Sequence, residues 1–143
     1  MIKVMATGVF DIIHLGHLHY LMESRKLGDE LIVVVARDST AVRNGKQPIF
    51  DENTRLAIVS QLKPVDNAIL GHEGDMFQTV LEVRPDIITL GYDQKFDANA
   101  IEKRCRQMGL STSVVRISGF DHALMKSSSE IRRRLLQIIE GAI

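Results

Sequence analysis

Two histidines three positions apart, His14 and His17, are the residues of this chain best suited to chemistry. Residues at that spacing share one face of an α-helix, so both imidazoles would point in the same direction. Gly8 would allow a tight turn before them, and Gly16 would let a ligand approach the backbone closely. A helix that begins here adds unpaired N–H groups and the positive end of its dipole. Together with Asp11, the pattern predicts an anion-binding site that contains two imidazoles.

The same histidines fit two other interpretations, a metal site that includes the nearby His19 or a pair of solvated surface side chains. No cysteine or acidic residue stands at ligand spacing from them, which disfavours the metal site. Two common phosphate motifs are missing from the sequence. No G-x-G-x-x-G follows the first apolar segment, and Gly45-Lys46 is followed by glutamine rather than serine or threonine. The sequence therefore predicts neither a dinucleotide-dependent dehydrogenase nor a P-loop kinase.

Short apolar segments rich in β-branched residues alternate along the chain with longer amphipathic segments. We expect strands at Ile2–Ala6, Leu31–Ala36, Ala68–Leu70, Asp86–Leu90 and Thr112–Ile117. We expect helices at Leu15–Leu27, Asn53–Leu62, Asp75–Val83, Asn99–Met108 and Ser129–Ile139. Gly28 and Gly109 stand where glycine commonly ends a helix.

Strands that are apolar on both faces pack as a parallel sheet between helices. The pattern predicts an α/β fold, a single Rossmann-like doubly wound five-stranded parallel sheet with helices on both faces. We expect one domain over residues 1–143. Ligands of such sheets bind beyond the carboxyl ends of the strands, where the strand order reverses. The loops after the first, fourth and fifth strands are therefore the expected location of the site.

Charge and cysteine content exclude several classes of partner. The 143 residues carry 18 basic and 18 acidic side chains, which gives no general electrostatic reason to bind nucleic acid or an anionic membrane. A single cysteine, Cys105, rules out an internal disulfide and suits a reducing compartment. The sequence has no signal-peptide pattern, and no apolar segment approaches the ~20 residues of a membrane span. We expect a cytoplasmic protein whose partners include neither nucleic acid nor membrane.

The segment from Gly8 to His17, GVFDIIHLGH, resembles the H-x-G-H signature of the cytidylyltransferase-like nucleotidyltransferases. The resemblance covers nearly the whole chain, and three segments are particularly similar to archaeal FAD synthetases: Gly28–Asp38, Leu62–Gly71 and Pro85–Gln94. It implies an enzyme that moves AMP from ATP onto FMN and releases pyrophosphate. The family usually has threonine where this chain has Val9, so only a backbone contact would remain at that position.

The resemblance also implies a set of site residues. It gives catalytic roles to His14, His17, Lys46 and Arg55, with the lysine and the arginine reaching the triphosphate or the acceptor phosphate. It gives nucleotide-binding roles around the phosphates and sugar to Val9, Phe10, His14, Leu15, Gly16 and His17. Further along the chain it places Asp93 at the nucleoside, Phe120 beside the base, and Ser127, Ser128 and Ser129 at the leaving phosphates.

Several of these residues also have an ordinary structural interpretation. Lys46 and Arg55 could be solvated surface charges. Ser127 begins a pattern that is typical of a helix capping box. Asp93 could close a turn, and we expect the three arginines at 132–134 to form a solvated helix face.

A terminal phosphate on the acceptor is already ionised at neutral pH, so the implied reaction needs no general base. We expect a divalent metal ion, Mg²⁺, that is carried by the nucleoside triphosphate, because the sequence offers no dedicated cage of oxygen ligands. The expected partners are the small molecules ATP and FMN, and the family is compatible with a homodimer. Two other functions stay open: a CTP-dependent transferase acting on glycerol 3-phosphate or a sugar phosphate, and a non-catalytic nucleotide-binding module.

Overall fold

The computed structural model of the protein describes residues 1–119 and 128–141, and its centre is one five-stranded sheet. The strands are β1 (Lys3–Gly8), β2 (Glu30–Val35), β3 (Asn67–Leu70), β4 (Ile87–Leu90) and β5 (Ser113–Arg116). The helices are α1 (Leu15–Arg25), α2 (Asp38–Arg43), α3 (Glu52–Ser60), α4 (Met76–Val83), α5 (Ala98–Gln107) and α6 (Ser128–Gly141). None of these six helices has both the length and the apolar character that crossing a membrane requires.

The five strands are all parallel, and their order across the sheet is β3-β2-β1-β4-β5. The central strand β1 pairs with β2 on one side and with β4 on the other, so that Val4 lies opposite both Leu31 and Ile87. The strand order reverses between β1 and β4, and in parallel sheets a crevice forms at that point. The fold therefore confirms the predicted α/β architecture and places the loops after β1, β4 and β5 along one edge.

Alternate side chains of each strand enter two hydrophobic clusters, one on each face of the sheet. In β2, Leu31 and Val33 belong to the cluster that includes residues of α1 and α3. Between them, Ile32 belongs to the cluster that includes residues of α4 and α5. Because side chains of a strand alternate between faces, burial on both faces requires the continuous apolar sequence seen here.

A buried polar network joins α1 to the sheet at the strands on either side of the crevice. The hydroxyl of Tyr20 donates to the carbonyl of Thr89 (2.7 Å) and accepts from the backbone N–H of Thr7 (3.2 Å). One turn later, the Ser24 hydroxyl lies 2.8 Å from the Thr89 hydroxyl. Burial raises the pKa of Tyr20 to about 12, so the hydroxyl stays protonated and can donate. The network fixes the second half of α1 relative to β1 and β4.

Helix α2, Asp38–Arg43, is an element that the sequence analysis did not predict. Six residues are too few to show a helical period in the sequence. The helix ends at Gly45, whose φ of 78° is left-handed. The N–H of Gly45 donates to Val42 (3.0 Å) and the N–H of Lys46 donates to Ala41 (2.9 Å), which is a Schellman motif. This motif at the end of α2 fixes the backbone position of Lys46.

The two glycines that were expected to end helices are needed for different reasons. Gly109 follows α5 with a φ of 81°, the left-handed conformation that such a helix end favours. Gly28 follows α1 without a positive φ, and its constraint is space. A Cβ at position 28 would lie 2.7 Å from both the carbonyl oxygen of Ile2 and the Cγ2 atom of Val4. Gly28 therefore allows the connection between α1 and β2 to pass directly against β1.

We expect Gly28→Ala to lower the free energy of unfolding by about 1–3 kcal/mol, because the added methyl group meets the backbone of the central sheet. Gly74→Ala is the matched control, since a Cβ there would meet nothing within 4 Å. The control should change stability by less than about 1 kcal/mol. Urea denaturation of both variants measures the difference, and equal effects would contradict the steric explanation.

Candidate active site

A cleft opens at the carboxyl edge of the sheet, where the loops after β1, β4 and β5 meet the N-terminal ends of α1 and α6. It holds a cavity of about 280 Å³. Of the residues that the family resemblance implied, those lining the cavity are Val9, Phe10, His14, Gly16, His17, Lys46, Asp93 and Ser129. Leu15 and Arg55 do not line it, Ser128 is the first residue of α6, and Phe120 and Ser127 lie outside the described residues.

The two histidines cap the N-terminus of α1 reciprocally. His14 is the N-cap residue, and its Nδ1 atom accepts the backbone N–H of His17 at 3.3 Å. The Nδ1 atom of His17 accepts the backbone N–H of His14, also at 3.3 Å. The two rings stack with their centroids 3.7 Å apart. This arrangement has the form of a capping box in which imidazoles replace the usual hydroxyl and carboxylate groups.

Burial lowers the pKa of both imidazoles. The pKa of His17 falls to about 3, mainly because burial disfavours the charged ring and further because His14 and Lys46 are close. Burial also lowers the pKa of His14, and this effect outweighs the opposing charges of Asp93 and Glu130. Both rings are therefore neutral at neutral pH. Since each Nδ1 accepts a backbone N–H, the proton of each neutral ring is assigned to Nε2, which can donate to a phosphate oxygen.

The loop after β1 holds His17 in place through an unusual backbone. Phe10 and Ile12 both have left-handed φ angles, 56° and 52°, which is rare for residues with large side chains. The buried ring of Phe10 lies 5.3 Å from the ring of His17 and stacks at 6.5 Å on Tyr20. A Cβ at Gly8 would lie only 2.9 Å from this phenyl ring. Gly8 is therefore required for the position of Phe10, whose ring packs against the ring of His17.

Arg55 is fully buried, although the sequence suggested either a phosphate ligand or a surface charge. Its guanidinium donates to the carbonyl oxygens of Phe50 (3.0 Å), Val9 (2.8 Å) and Ala36 (2.7 Å). It also pairs with the carboxylate of Asp38 at 2.7 Å. Four of its five N–H groups are thus directed at the protein itself. The structure corrects the expectation that Arg55 reaches a phosphate, because this cation binds the segments around the site.

Asp11 binds the same segment that Arg55 holds. Its carboxylate accepts the backbone N–H groups of Ile49 (2.8 Å) and Phe50 (3.0 Å), while Arg55 donates to the carbonyl of Phe50. The connection between α2 and α3 is therefore fixed to the loop after β1 through main-chain contacts. That connection carries Lys46. Asp11 and Arg55 are therefore positioning residues for this lysine at the cavity.

Two side chains fix the loop after β4. Arg116, at the end of β5, donates to the carbonyls of Gly91 (2.9 Å) and Gln94 (2.8 Å). The side-chain amide of Gln94 accepts the N–H of Gly91 (2.8 Å) and donates to the carbonyl of Thr7 (3.0 Å). These bonds connect the ends of β1, β4 and β5 across the crevice. They hold Asp93, an exposed residue of this loop, at the cavity.

Helix α6 brings to the cavity a cation that the sequence analysis assigned to solvent. Arg132 lines the cavity, and its Nη2 donates to the carbonyl of Gln47 at 3.3 Å. Gln47 follows Lys46, so this bond links α6 to the segment that carries the other cation of the cavity. Arg132 is exposed, as expected of a solvated helix face, but the sequence analysis did not predict that it also lines the cavity. The spacing from Ser129 could have indicated this position, because Arg132 is three residues later and so lies on the same helix face as that serine.

We expect Arg55→Lys to lower the free energy of unfolding by about 2–4 kcal/mol, since an ammonium group cannot reach all of the carbonyls that a guanidinium satisfies. Lys46→Met is the matched variant at an exposed cation, and it should change stability by less than about 0.5 kcal/mol while weakening pyrophosphate binding. Guanidinium denaturation and calorimetric titration with pyrophosphate measure the two effects. An Arg55→Lys protein of unchanged stability would contradict the positioning role.

Acidification should cost stability because of the low pKa of His17. Its pKa of about 3 lies below the ordinary value of 6.5, so the unfolded chain takes up the proton first as the pH falls. The contribution of neutral His17 to the free energy of unfolding is fully present above pH 6.5. It declines between pH 6.5 and pH 3, by at most about 1.4 kcal/mol per pH unit. Urea titrations at several pH values should show a shallower decline in His17→Asn. An unchanged slope in the variant would contradict the low pKa.

Residues 5–134 match the cytidylyltransferase-like family. Among curated proteins, one named FAD synthase from Thermoplasma volcanium is 65% identical over 139 residues, which are 97% of this chain and 97% of that protein. A protein of the same name from Thermoplasma acidophilum is 66% identical with the same coverage. A third, from Archaeoglobus profundus, is 49% identical and covers 100% of this chain and 92% of its own length.

Two solved structures share the fold. One is described as the lipopolysaccharide core biosynthesis protein from Thermoplasma volcanium GSS1 and is 69% identical, with a TM-score of 0.83 over 85% of this chain and 99% of that chain. The other, a protein of unknown function from Archaeoglobus fulgidus, is 17% identical with a TM-score of 0.66 over 82% of this chain and 90% of that one, and it shows the fold alone. Fold, histidine signature and the extent of the match agree, and the chain belongs to the cytidylyltransferase-like family of nucleotidyltransferases.

Proposed function

We propose that this protein is an FMN adenylyltransferase, which moves AMP from ATP onto FMN to give FAD and pyrophosphate. The observation that carries the proposal is its identity of 65–66% over 97% of the chain to proteins named FAD synthase. The cavity supports it with neutral imidazole donors and two cations, Lys46 and Arg132, at the end of a parallel sheet. Such a set of groups suits the binding of several phosphates.

The chemistry is an in-line displacement at the α-phosphorus of ATP. An oxygen of the FMN phosphate attacks, a new P–O bond forms, and the bond between the α-phosphorus and the bridging oxygen breaks. The electron pair of that bond leaves with pyrophosphate. The FMN phosphate is already ionised at neutral pH, so no side chain has to remove a proton. The work of the protein is to align the reactants and to stabilise the charge that moves toward the leaving group.

The described side chains divide this work between neutral and charged donors. The Nε2–H groups of His14 and His17 would hydrogen-bond oxygens of the α- and β-phosphates. Lys46 and Arg132, which both line the cavity, would balance the charge that accumulates on pyrophosphate. Ser129 lies in the first turn of α6, where backbone N–H groups and the helix dipole add to the attraction for anions.

Any divalent ion would come with the triphosphate, as part of the substrate. Within residues 1–119 and 128–141 there is no group of three or more His, Cys, Asp or Glu side chains that could hold a metal ion. The carboxylate of Asp11 lies at the cavity, but both of its oxygens accept backbone N–H groups. Asp11 therefore fits a role in positioning the segment at Ile49 and Phe50 better than a role as a metal ligand.

The homodimer and the cytoplasmic location stay predictions. Light scattering of the purified protein would determine the oligomeric state. A cytoplasmic location agrees with the proposed substrates, because ATP and FMN are metabolites of that compartment.

We expect the purified protein to release pyrophosphate and to form FAD when it is given ATP, Mg²⁺ and FMN. FAD is separated from FMN by chromatography, and pyrophosphate is measured by a coupled assay. CTP with glycerol 3-phosphate is the matched alternative pair and should give no product. Pyrophosphate release with that pair, but not with ATP and FMN, would replace the proposal with a polyol-phosphate cytidylyltransferase.

We expect His17→Ala to lower turnover by about 10²–10³, which is the usual effect of losing one donor to a transition-state oxygen. The variant also loses one helix cap, so circular dichroism and thermal denaturation should show a folded protein of slightly lower stability. His72→Ala is the control, because that histidine pairs with Glu82 and does not line the cavity. Near-normal turnover in His17→Ala would mean that His17 acts only as a helix cap.

A further inference from the structure

Tyr92 is an aromatic residue of the cavity that the mechanism above does not use. It follows Gly91 in the loop after β4, it lines the cavity, and its side chain is 51% exposed. Large aromatic side chains in proteins usually bury most of their surface. A tyrosine that keeps half of its surface open at a ligand cavity therefore needs an explanation.

One face of the Tyr92 ring lies against the backbone at Gly119. A Cβ at position 119 would be 3.3, 3.4 and 3.5 Å from the Cγ, Cδ2 and Cδ1 atoms of that ring. Three nearly equal distances to adjacent ring atoms place this point over the face of the ring, because a point beyond its edge would be nearer to one atom than to the others. The ring thus rests on the loop after β5, and the absence of a side chain at Gly119 makes the contact possible.

The loop that carries Tyr92 is anchored on both sides of the residue. Arg116 donates to the carbonyl of Gly91 (2.9 Å) before it, and to those of Gln94 (2.8 Å) and Phe96 (2.6 Å) after it. The Gln94 side chain adds bonds to the N–H of Gly91 and the carbonyl of Thr7. An aromatic ring held on a fixed loop loses little conformational freedom when a ligand packs on it.

We propose that Tyr92 is a stacking surface for the planar heterocycle of a substrate, with Gly119 as its support. This inference rests on the proposed function, which brings two such rings to the site, the adenine of ATP and the isoalloxazine of FMN. Each ring is joined to its phosphate through a chain or ring that carries hydroxyl groups. The neighbouring carboxylate of Asp93, also at the cavity, is an acceptor for such hydroxyls.

Stacking depends on the flat face of the ring and not on its hydroxyl group. Tyr92→Phe should therefore bind both substrates as the unchanged protein does. Tyr92→Leu keeps an apolar side chain of similar size without the aromatic face, and Tyr92→Ala removes the surface. The matched control is Phe96→Ala, because Phe96 is an aromatic residue of the same loop, 42% exposed, and is not among the residues lining the cavity.

The experiment measures dissociation constants for the two ligands separately. FMN binding is followed by the quenching of flavin fluorescence, and a methylene-bridged ATP analogue that cannot transfer its AMP is titrated by calorimetry. We expect Tyr92→Ala to weaken the binding of one of the two ligands by about 5- to 150-fold, the range for one stacked base. Tyr92→Leu should show most of that loss. The ligand that is affected identifies the ring as isoalloxazine or adenine.

Unchanged dissociation constants for both ligands in Tyr92→Ala would overturn the proposal. So would a loss in Tyr92→Phe equal to that in Tyr92→Ala, which would assign the effect to the hydroxyl group. An equal loss in Phe96→Ala would show that the loop and not the ring is responsible. The proposed function fails separately, if the unchanged protein forms no FAD from ATP and FMN, and the nucleotide-analogue titrations would still test Tyr92 in that case.

Discussion

The geometry of the cavity depends first on the buried guanidinium of Arg55. Removing a cation from water is costly, and three hydrogen bonds to carbonyl oxygens and the ion pair with Asp38 offset the cost here. The partners belong to the loop after β1, the end of β2, the start of α2 and the segment before α3. One side chain therefore sets the relative positions of four segments that are separate in sequence. The guanidinium of Arg55 thus helps to position Lys46 at the cavity, although Arg55 itself does not line it.

Neutral imidazoles distinguish this site from one built only of cations. The low pKa of His17 means that the ring donates a proton to a hydrogen bond without carrying charge. Positive charge comes instead from Lys46 and Arg132, which also line the cavity. In the proposed function, this arrangement would separate two tasks, the orientation of the reacting phosphate and the stabilisation of pyrophosphate. Strong binding of the whole triphosphate by several cations would stabilise the ground state as much as the transition state.

The sequence predicted the sheet and the histidine pair because both are local patterns. A continuous apolar strand shows its burial, and residues three apart share a helix face wherever the helix packs. The role of Arg55 is not local, since its carbonyl partners stand up to 46 residues away. Arg132 is one of three consecutive arginines, and only the helix phase together with the position of Gln47 distinguishes it. The left-handed backbone at Phe10 and Ile12 likewise results from the contacts around the loop, for which the sequence has no marker.

The reciprocal capping of α1 changes where the helix offers its positive end. The backbone N–H groups of His14 and His17 are bonded to imidazole nitrogens and are not available to an anion. Each such bond draws electron density from the ring through Nδ1 and makes the opposite N–H a stronger donor, as in any polarised chain of hydrogen bonds. The positive end of the helix dipole thus acts on the cavity through two imidazole rings as well as through the backbone. In the proposed function, a phosphate held by the two Nε2–H groups would therefore lie one ring away from the backbone N–H groups of His14 and His17.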